Sequence, residues 1–388
     1  MKIAFFTDMI LRQTHGVAVA IVDIANGLAK RGHMVYLFGP ELRNRPEFLH
    51  PNVILRHCAS VPTFFNDDVR FGLPFDLFVA DFIRREKIEI IHLHTPGMLG
   101  LQAIAIAKLL HLPLVGTYHS FFAHPEYLEQ IRLNNRLVEK LAWVMSNFYY
   151  NSCDLVICPS EGTKAELVAH NCKNEIRVIP HGIDASAFDN SRSRLVKKEF
   201  NRNGKLLLSV GRVSYGKNII HLIECCALAF KGVPSLKLVL VGNGPLMQDV
   251  KRKIKDLNIS DKVILTGAIR HEELVKSGIF GACDIFVTAS RVETGPLVVL
   301  EAQANGMVCV MVKGKGMALV KDGINGYVVD SEDKEAFAGA IVSLVKDRKR
   351  YAKMKEATLR EIKKYELPRI ISQWENTYNK LKNSHLHR

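Results

Sequence analysis

The chain has 388 residues, 48% hydrophobic and 24% charged, with 53 Lys and Arg against 39 Asp and Glu and a formal net charge of +14. That length suits two domains, each large enough to bury its own core. The eight cysteines show no C-x-x-C pair and no regular spacing, and Cys225 and Cys226 are adjacent, which argues against a disulfide framework. The opening run KIAFFTDMI is interrupted at Asp8 too soon for a secretory leader, and no apolar run reaches transmembrane length. A cytoplasmic chain with reduced thiols is therefore expected. Residues 1–185 carry 18 basic and 18 acidic residues, so the whole positive excess lies beyond them. It concentrates in 192–205, 251–255 and 346–355, which read either as solvated helix faces beside a phosphate site or as attraction to anionic lipid. No basic stretch carries interleaved aromatics or a known reading motif, so nucleic acid is not an expected partner.

Along the chain, short apolar runs alternate with amphipathic stretches. KIAFFT, MVYLF, IEIIHLH, PLVGTYH, DLVICPS and IRVIP read as strands, with helices at 17–31, 75–86, 98–110 and 161–170. This alternation predicts an α/β fold with a parallel, doubly wound sheet. The stretch HGIDASAFDNSRSRLVKKEF, rich in Gly, Asp, Asn, Ser and charge, reads as a linker. The pattern then repeats in KLLLSVG, LKLVLVG, KVILTG, DIFVTAS and MVCVMV. A last helix carries Ile370, Trp374, Tyr378 and Leu381 on one face. The expected divisions are 1–185, 186–366 and a terminal helix at 367–388.

Three segments of the second half carry chemistry. In RVETGPLVVLEAQA, a strand gives way to a helix, with Glu293 on the turn and Glu301 one to two helical turns further on. A helix N-terminus at the carboxyl end of a strand offers free N–H groups and a positive dipole end to a phosphate. The carboxylates suit hydroxyls instead, so a ligand with both phosphate and hydroxyls, a sugar nucleotide, fits the pair. LLLSVGRVSYGKN ends a strand at Gly211 and follows it with Arg212 and Lys217, two cations suited to a diphosphate. LVLVGNGP closes a further strand in a turn through Gly242 and Gly244, a weak signal alone because it lacks the third glycine of a dinucleotide fingerprint.

In this order and spacing the three segments resemble the retaining glycosyltransferases of family 4, over nearly the whole chain. The resemblance implies the GT-B architecture: two facing Rossmann-like domains, acceptor-binding first and nucleotide-sugar-binding second, with a C-terminal helix crossing back to the first. It implies that Glu301 accepts the nucleotide ribose hydroxyls, that Glu293 contacts the donor sugar, and that Arg212 and Lys217 hold the diphosphate. Gly242, Gly244, Gly295, Pro296 and Leu297 complete the donor loops. In the first half, His119 in GTYHS is similar to the family's histidine beside the reacting sugar. Asp8, with the loop Thr14-His15-Gly16-Val17, is similar to the glycine loop near the diphosphate and acceptor. The family usually has two glycines there; only Gly16 matches. Glu293, His119 and Asp8 are thus the expected catalytic group. Further departures are Gly295-Pro296, where proline removes a backbone donor, Met317-Ala318 in place of a Pro-Glu pair, and Gly216 where a glutamate usually precedes the lysine.

No metal or other cofactor is expected. His92 and His94 alternate along a strand, which is read as pointing them to opposite faces; Asn66-Asp67-Asp68 is not an Asp-x-Asp motif; and His271-Glu272 lacks the second histidine of a zinc helix. The acceptor would dock on the first domain, where 61–78 and 120–150 are rich in aromatics. Leu137, Leu141, Val144 and Phe148 fall in helical register there, either as a core-facing stripe or as a lipid surface. HSFFAHPEYL is similar to a stretch of the diacylglycerol glucosyltransferases within the family. The function expected is retaining, metal-independent transfer of a hexose from a nucleoside-diphosphate sugar, a UDP-sugar first, to a lipid or lipid-linked acceptor, with contact to anionic membrane at its inner face. The alternatives are transfer to a saccharide of a surface polysaccharide or lipopolysaccharide, and a non-catalytic relative that binds a nucleotide sugar.

Overall fold

The structure, a computed structural model, describes residues 1–9, 16–40, 49–62, 70–72, 77–121, 123, 135–314 and 319–386. Thr14, His15, the triplet 66–68, the pair 317–318 and most of the aromatic segments at 61–78 and 120–135 lie outside them. The chain divides into two compact units, Met1–Gly182 with Leu367–Arg388, and Ile183–Glu366.

The first unit is built on β1 (Lys2–Phe6), β2 (Met34–Pro40), β3 (Val53–Cys58), β6 (Ile90–Leu93), β7 (Leu114–Thr117), β8 (Leu155–Cys158) and β9 (Ile176–Val178). They pair in parallel in the order β3-β2-β1-β6-β7-β8-β9, while β4 (Ser60–Pro62) and β5 (Arg70–Gly72) form a separate antiparallel pair. The helices are α1 (Gly16–Lys30), α2 (Leu77–Arg85), α3 (Met98–Leu110), α4 (Arg136–Asn151) and α5 (Glu161–Ala169). Strands buried on both faces read as continuous Val, Ile, Leu and Phe runs, which is why IEIIHLH and DLVICPS announce themselves. β3, in VILRHC, does not: its burial falls off from Val53 to exposed Arg56 and His57, so the apolar run is too short to stand out.

The second unit holds α6 (Ser193–Asn201), β10 (Leu206–Val210), α7 (Ile219–Gly232), β11 (Lys237–Val241), α8 (Met247–Asp256), β12 (Val263–Gly267), α9 (His271–Lys276), α10 (Ile279–Ala282), β13 (Ile285–Thr288), α11 (Leu297–Ala304), β14 (Val308–Val312), β15 (Gly326–Val329), α12 (Lys334–Lys346) and α13 (Arg348–Ile362). Its parallel sheet runs β12-β11-β10-β13-β14-β15. One difference from the sequence reading is α6, which lies inside the stretch read as a linker. Arg194, Lys198 and Glu199 are exposed, but Lys197 is ion-paired with Asp284, and Val196 and Phe200, one helical turn apart, pack on the core with Phe280 and Phe286.

The final helix, α14 (Leu367–Leu386), belongs to the first unit. Ile370, Ile371, Trp374 and Tyr378 are buried in the same core as Ile3, Phe5, Ile21 and Leu28. α1 and α14 approach so closely at Gly27 that a Cβ there would collide with Ile371. Polar ties reinforce the contact: Glu375 takes Arg31 at 2.6 Å and His33 at 2.8 Å, and the Tyr378 hydroxyl meets His92 Nδ1 at 2.7 Å. Among the described residues no helix is long and apolar enough to cross a membrane. Trp374 fills the middle of this packing, so Trp374→Ala is expected to lower the stability of the N-terminal unit by about 3–5 kcal/mol, measured as an earlier urea midpoint for that unit.

Candidate functional site

In each unit the strand order reverses at one point, and loops that leave neighbouring strands there diverge to opposite faces and open a crevice at the strands' carboxyl ends. In the second unit the reversal lies between β10 and β13. From β10 the chain passes Gly211, the exposed Arg212 and a short 3₁₀ turn, Tyr215–Lys217, before α7. From β13 it passes Ser290, Glu293, Gly295 and Pro296 into α11. The two loops are tied together: the Ser290 hydroxyl donates to the Gly216 carbonyl at 3.2 Å, and the Lys217 ammonium is ion-paired with the Glu293 carboxylate. Residues 76 positions apart in sequence thus become one charge-compensated unit.

Neighbouring turns leave room only for backbone. Gly242 has φ +145°, and a Cβ there would run into the Gly211 carbonyl; at Gly244 it would meet that of Val213. Pro296 takes the N-cap position of α11 with no side-chain cap, so the helix opens on the amides that follow it, Leu297 first. Glu301 is the fifth residue of α11 and only 5% exposed. Its carboxylate meets His271 Nε2, at the first position of α9, at 2.6 Å. His271 escapes a sequence search because it is weighed there only as a metal ligand; its partner lies thirty residues on and nothing local marks the pair.

In the first unit the reversal lies between β1 and β6. Asp8, just past β1, is 1% exposed. Its carboxylate accepts from the Gly72 amide at 3.2 Å, from the Leu99 amide in the first turn of α3 at 3.3 Å, and from the Thr95 hydroxyl at 3.2 Å. Gly97 leaves the space these oxygens occupy. Burial, opposed by those hydrogen bonds, raises its pKa to about 6. The Asp8 carboxylate thus ties together β5, Thr95 and the opening of α3, accepting from two backbone amides and one hydroxyl. Gly16 is the first residue of α1.

His119 follows β7 and is buried, with Nε2 2.9 Å from His94 Nδ1 and its ring stacked 6.2 Å from that of His181. His92 and His94 do not point to opposite faces. Residues i and i+2 of a strand share a face, and the two rings lie 3.8 Å apart. His92 bridges the Tyr378 hydroxyl and Thr117 Oγ1, at 2.7 and 2.6 Å. Four imidazoles therefore form one layer under the end of β7, with the return helix holding one edge. Burial drives the pKa of His92 and His94 well below the usual imidazole range and that of His181 to about 4. Among the described residues no group of three or more His, Cys, Asp or Glu is arranged to hold a metal.

The His92, His94 and His181 imidazoles are neutral in the fold and charge freely in the unfolded chain, so their contribution to stability is present above pH 6.5 and lost as pH falls toward 4. Asp8 acts in the opposite sense below pH 6, but three histidines against one carboxylate decide the sign. The thermal midpoint of the N-terminal unit is expected to drop between pH 7 and pH 5, and the drop to be smaller in His94→Gln, measured by calorimetry at both pH values.

Comparison with known proteins extends this geometry. Residues 14–187 match the model of Glycosyltransferase Family 4, and residues 191–361 that of Glycosyl transferases group 1. An alpha-monoglucosyldiacylglycerol synthase of Streptococcus pneumoniae is 32% identical over 79% of this chain and 70% of its own length. One from Acholeplasma laidlawii is 25% identical over 86% of each. Among solved structures, a sucrose-phosphate synthase from Thermosynechococcus elongatus superposes with a TM-score of 0.77 at 18% identity, covering 99% of this chain and 100% of that one. The Anabaena protein HepE, in complex with UDP and glucose, gives 0.76 at 19% identity over 98% and 100%. The two parallel-sheet units are those of the GT-B fold, and with family matches on both of them the chain belongs to glycosyltransferase family 4 and is an enzyme of that class.

Proposed function

We propose that the chain transfers a hexose from a nucleoside-diphosphate sugar to a lipid or lipid-linked acceptor, with retention at the anomeric carbon and without a metal. The observation that carries this reading is the Lys217–Glu293 pair at the β10/β13 reversal, beside the opening of α11. It sets a cation, a carboxylate and a helix N-terminus where an open parallel sheet binds ligands. In this reading Lys217 and Arg212 take the diphosphate charge that a metal carries in other transferases. Glu293, released from Lys217, accepts from the donor sugar. Glu301 accepts from the ribose hydroxyls while His271 fixes its orientation. Gly242, Gly244 and Gly295 let the backbone come close, and Leu297 offers the first helical amide.

On the N-terminal unit His119 is assigned to hydroxyls of the donor hexose, and Asp8 to holding the start of α3 rather than to proton transfer. The acceptor hydroxyl approaches the anomeric carbon on the side the diphosphate leaves; as the old C–O bond breaks and the new one forms, a departing phosphate oxygen takes the proton. No cofactor beyond the sugar nucleotide enters. The lipid acceptor is favoured by the two relatives named alpha-monoglucosyldiacylglycerol synthase, and a UDP-sugar by HepE, described with UDP and glucose. The protein would work in the cytoplasm, at the inner face of the membrane.

The reading is tested by thermal shift with UDP-, GDP- and ADP-sugars, followed by release of nucleoside diphosphate when diacylglycerol is supplied in detergent. One nucleotide class is expected to stabilise the wild type, by roughly 2.7 kcal/mol at a hundredfold excess over Kd, and to fail on Glu301→Ala. A ligand that stabilises without turnover on lipid or saccharide would identify a binder instead. Arg212→Ala is expected to weaken the donor by about 2 kcal/mol, roughly 30-fold in Kd, read by calorimetric titration; unchanged affinity would remove it from the site.

A further inference from the structure

The helix α4 has two faces of unusual assignment. Its inward face buries Trp143, Ser146, Tyr149 and Tyr150, with the Trp143 ring stacked 3.7 Å from that of His170. The opposite face is apolar and open: Leu137 is 63% exposed, Leu141 58%, Val144 59%, Met145 44% and Phe148 54%. At 100° per residue these five side chains fall within an arc of about 100°. A core helix would show this stripe to the protein; here it faces solvent. Scattered exposed apolar residues need no account, but a contiguous stripe of large ones marks an interaction surface.

The charges say which kind. Arg136 and Lys140 are exposed along one edge of the stripe. Glu139, the single acid of the helix, lies about 180° round from the stripe's centre and is only partly exposed. The N-terminus is fixed by Asn135, whose side chain accepts from the Leu137 amide at 2.7 Å, so the stripe is presented on a capped, packed helix. A surface with large apolar side chains at its centre, cations at its border and no acid on that face complements an anionic lipid surface: the apolar groups enter the acyl boundary while the basic stems reach up to the headgroups.

We infer that the outer face of α4 is the surface by which this protein lies on an anionic bilayer, with Leu137, Leu141, Val144, Met145 and Phe148 inserted and Arg136 and Lys140 at the headgroups. The purpose of such contact rests on the lipid-acceptor reading, since an acceptor that lives in the bilayer must be met there; the contact itself is measured separately.

The full chain is mixed with vesicles of equal parts phosphatidylglycerol and phosphatidylcholine, and with vesicles of phosphatidylcholine alone, and the bound fraction is read by flotation. The wild type is expected to bind the anionic vesicles. The double variant Leu141→Gln/Phe148→Gln is expected to lose roughly tenfold or more in partitioning while keeping its thermal midpoint and its nucleotide binding. Arg136→Gln/Lys140→Gln is expected to lose roughly tenfold on anionic vesicles and little on neutral ones. If the first pair fails to fold, the second, on exposed side chains, carries the comparison. Binding unchanged in both pairs would overturn the assignment. So would a wild type that ignores both vesicle types, and a solution mass of two copies that falls to one in Leu141→Gln/Phe148→Gln would then give the face to self-association. Transfer to a water-soluble short-chain diacylglycerol, measured on the same proteins, tests the acceptor reading without any vesicle, so the two ideas fail separately.

Discussion

A parallel sheet can open a ligand crevice only where its strand order turns back on itself, and that constraint organises both halves of this protein. At β10 and β13 the turn-back brings Lys217 to Glu293; at β1 and β6 it brings Asp8 to Thr95 and to the first turn of α3. The same topology thus yields two chemically different results. One loop pair meets through opposite charges that a ligand of mixed charge can separate. The other meets through a buried carboxylate that accepts from two backbone amides and the Thr95 hydroxyl, a device for holding geometry. What differs is the residues supplied to the crevice.

Much of this is legible in the sequence because it is local. The strand ending at Gly211, the turn through Gly242 and Gly244, and the Gly295-Pro296 step before α11 are each written within a dozen residues, where periodicity and glycine placement are strong signals. Glu301 and its partner His271 are not: the carboxylate can be read as a site residue, but its imidazole comes from another strand-helix unit, and only the fold brings it to 2.6 Å. The histidine layer fails differently. The shared face of His92 and His94 follows from strand geometry alone, since a two-residue step returns a strand to the same side, and pointing them to opposite faces contradicts that period. Within 181–200, α6 is hidden because its charges outvote the two side chains, Val196 and Phe200, that anchor it.

The α4 stripe marks a harder limit. Spacing fixes which side chains share a face but not what that face meets, and a helix with two apolar faces shows a stripe in either case. Trp143, Tyr149 and Tyr150 satisfy the core; the leucines, valine, methionine and phenylalanine on the other side are surplus to it. Burial alone separates the two, and burial is a property of the whole fold.

The placement of α14 bears on how the protein is made. Ile370, Trp374 and Tyr378 fill the core of the first unit, yet the ribosome delivers them only after all of Ile183–Glu366 has emerged. The second unit is continuous in the chain, with its own hydrophobic core. The core of the first, begun earlier, lacks Ile370, Trp374 and Tyr378 until α14 is made. The unit whose synthesis begins first is therefore the one whose core is supplied last, and the histidine layer cannot gain the edge that Tyr378 holds before then.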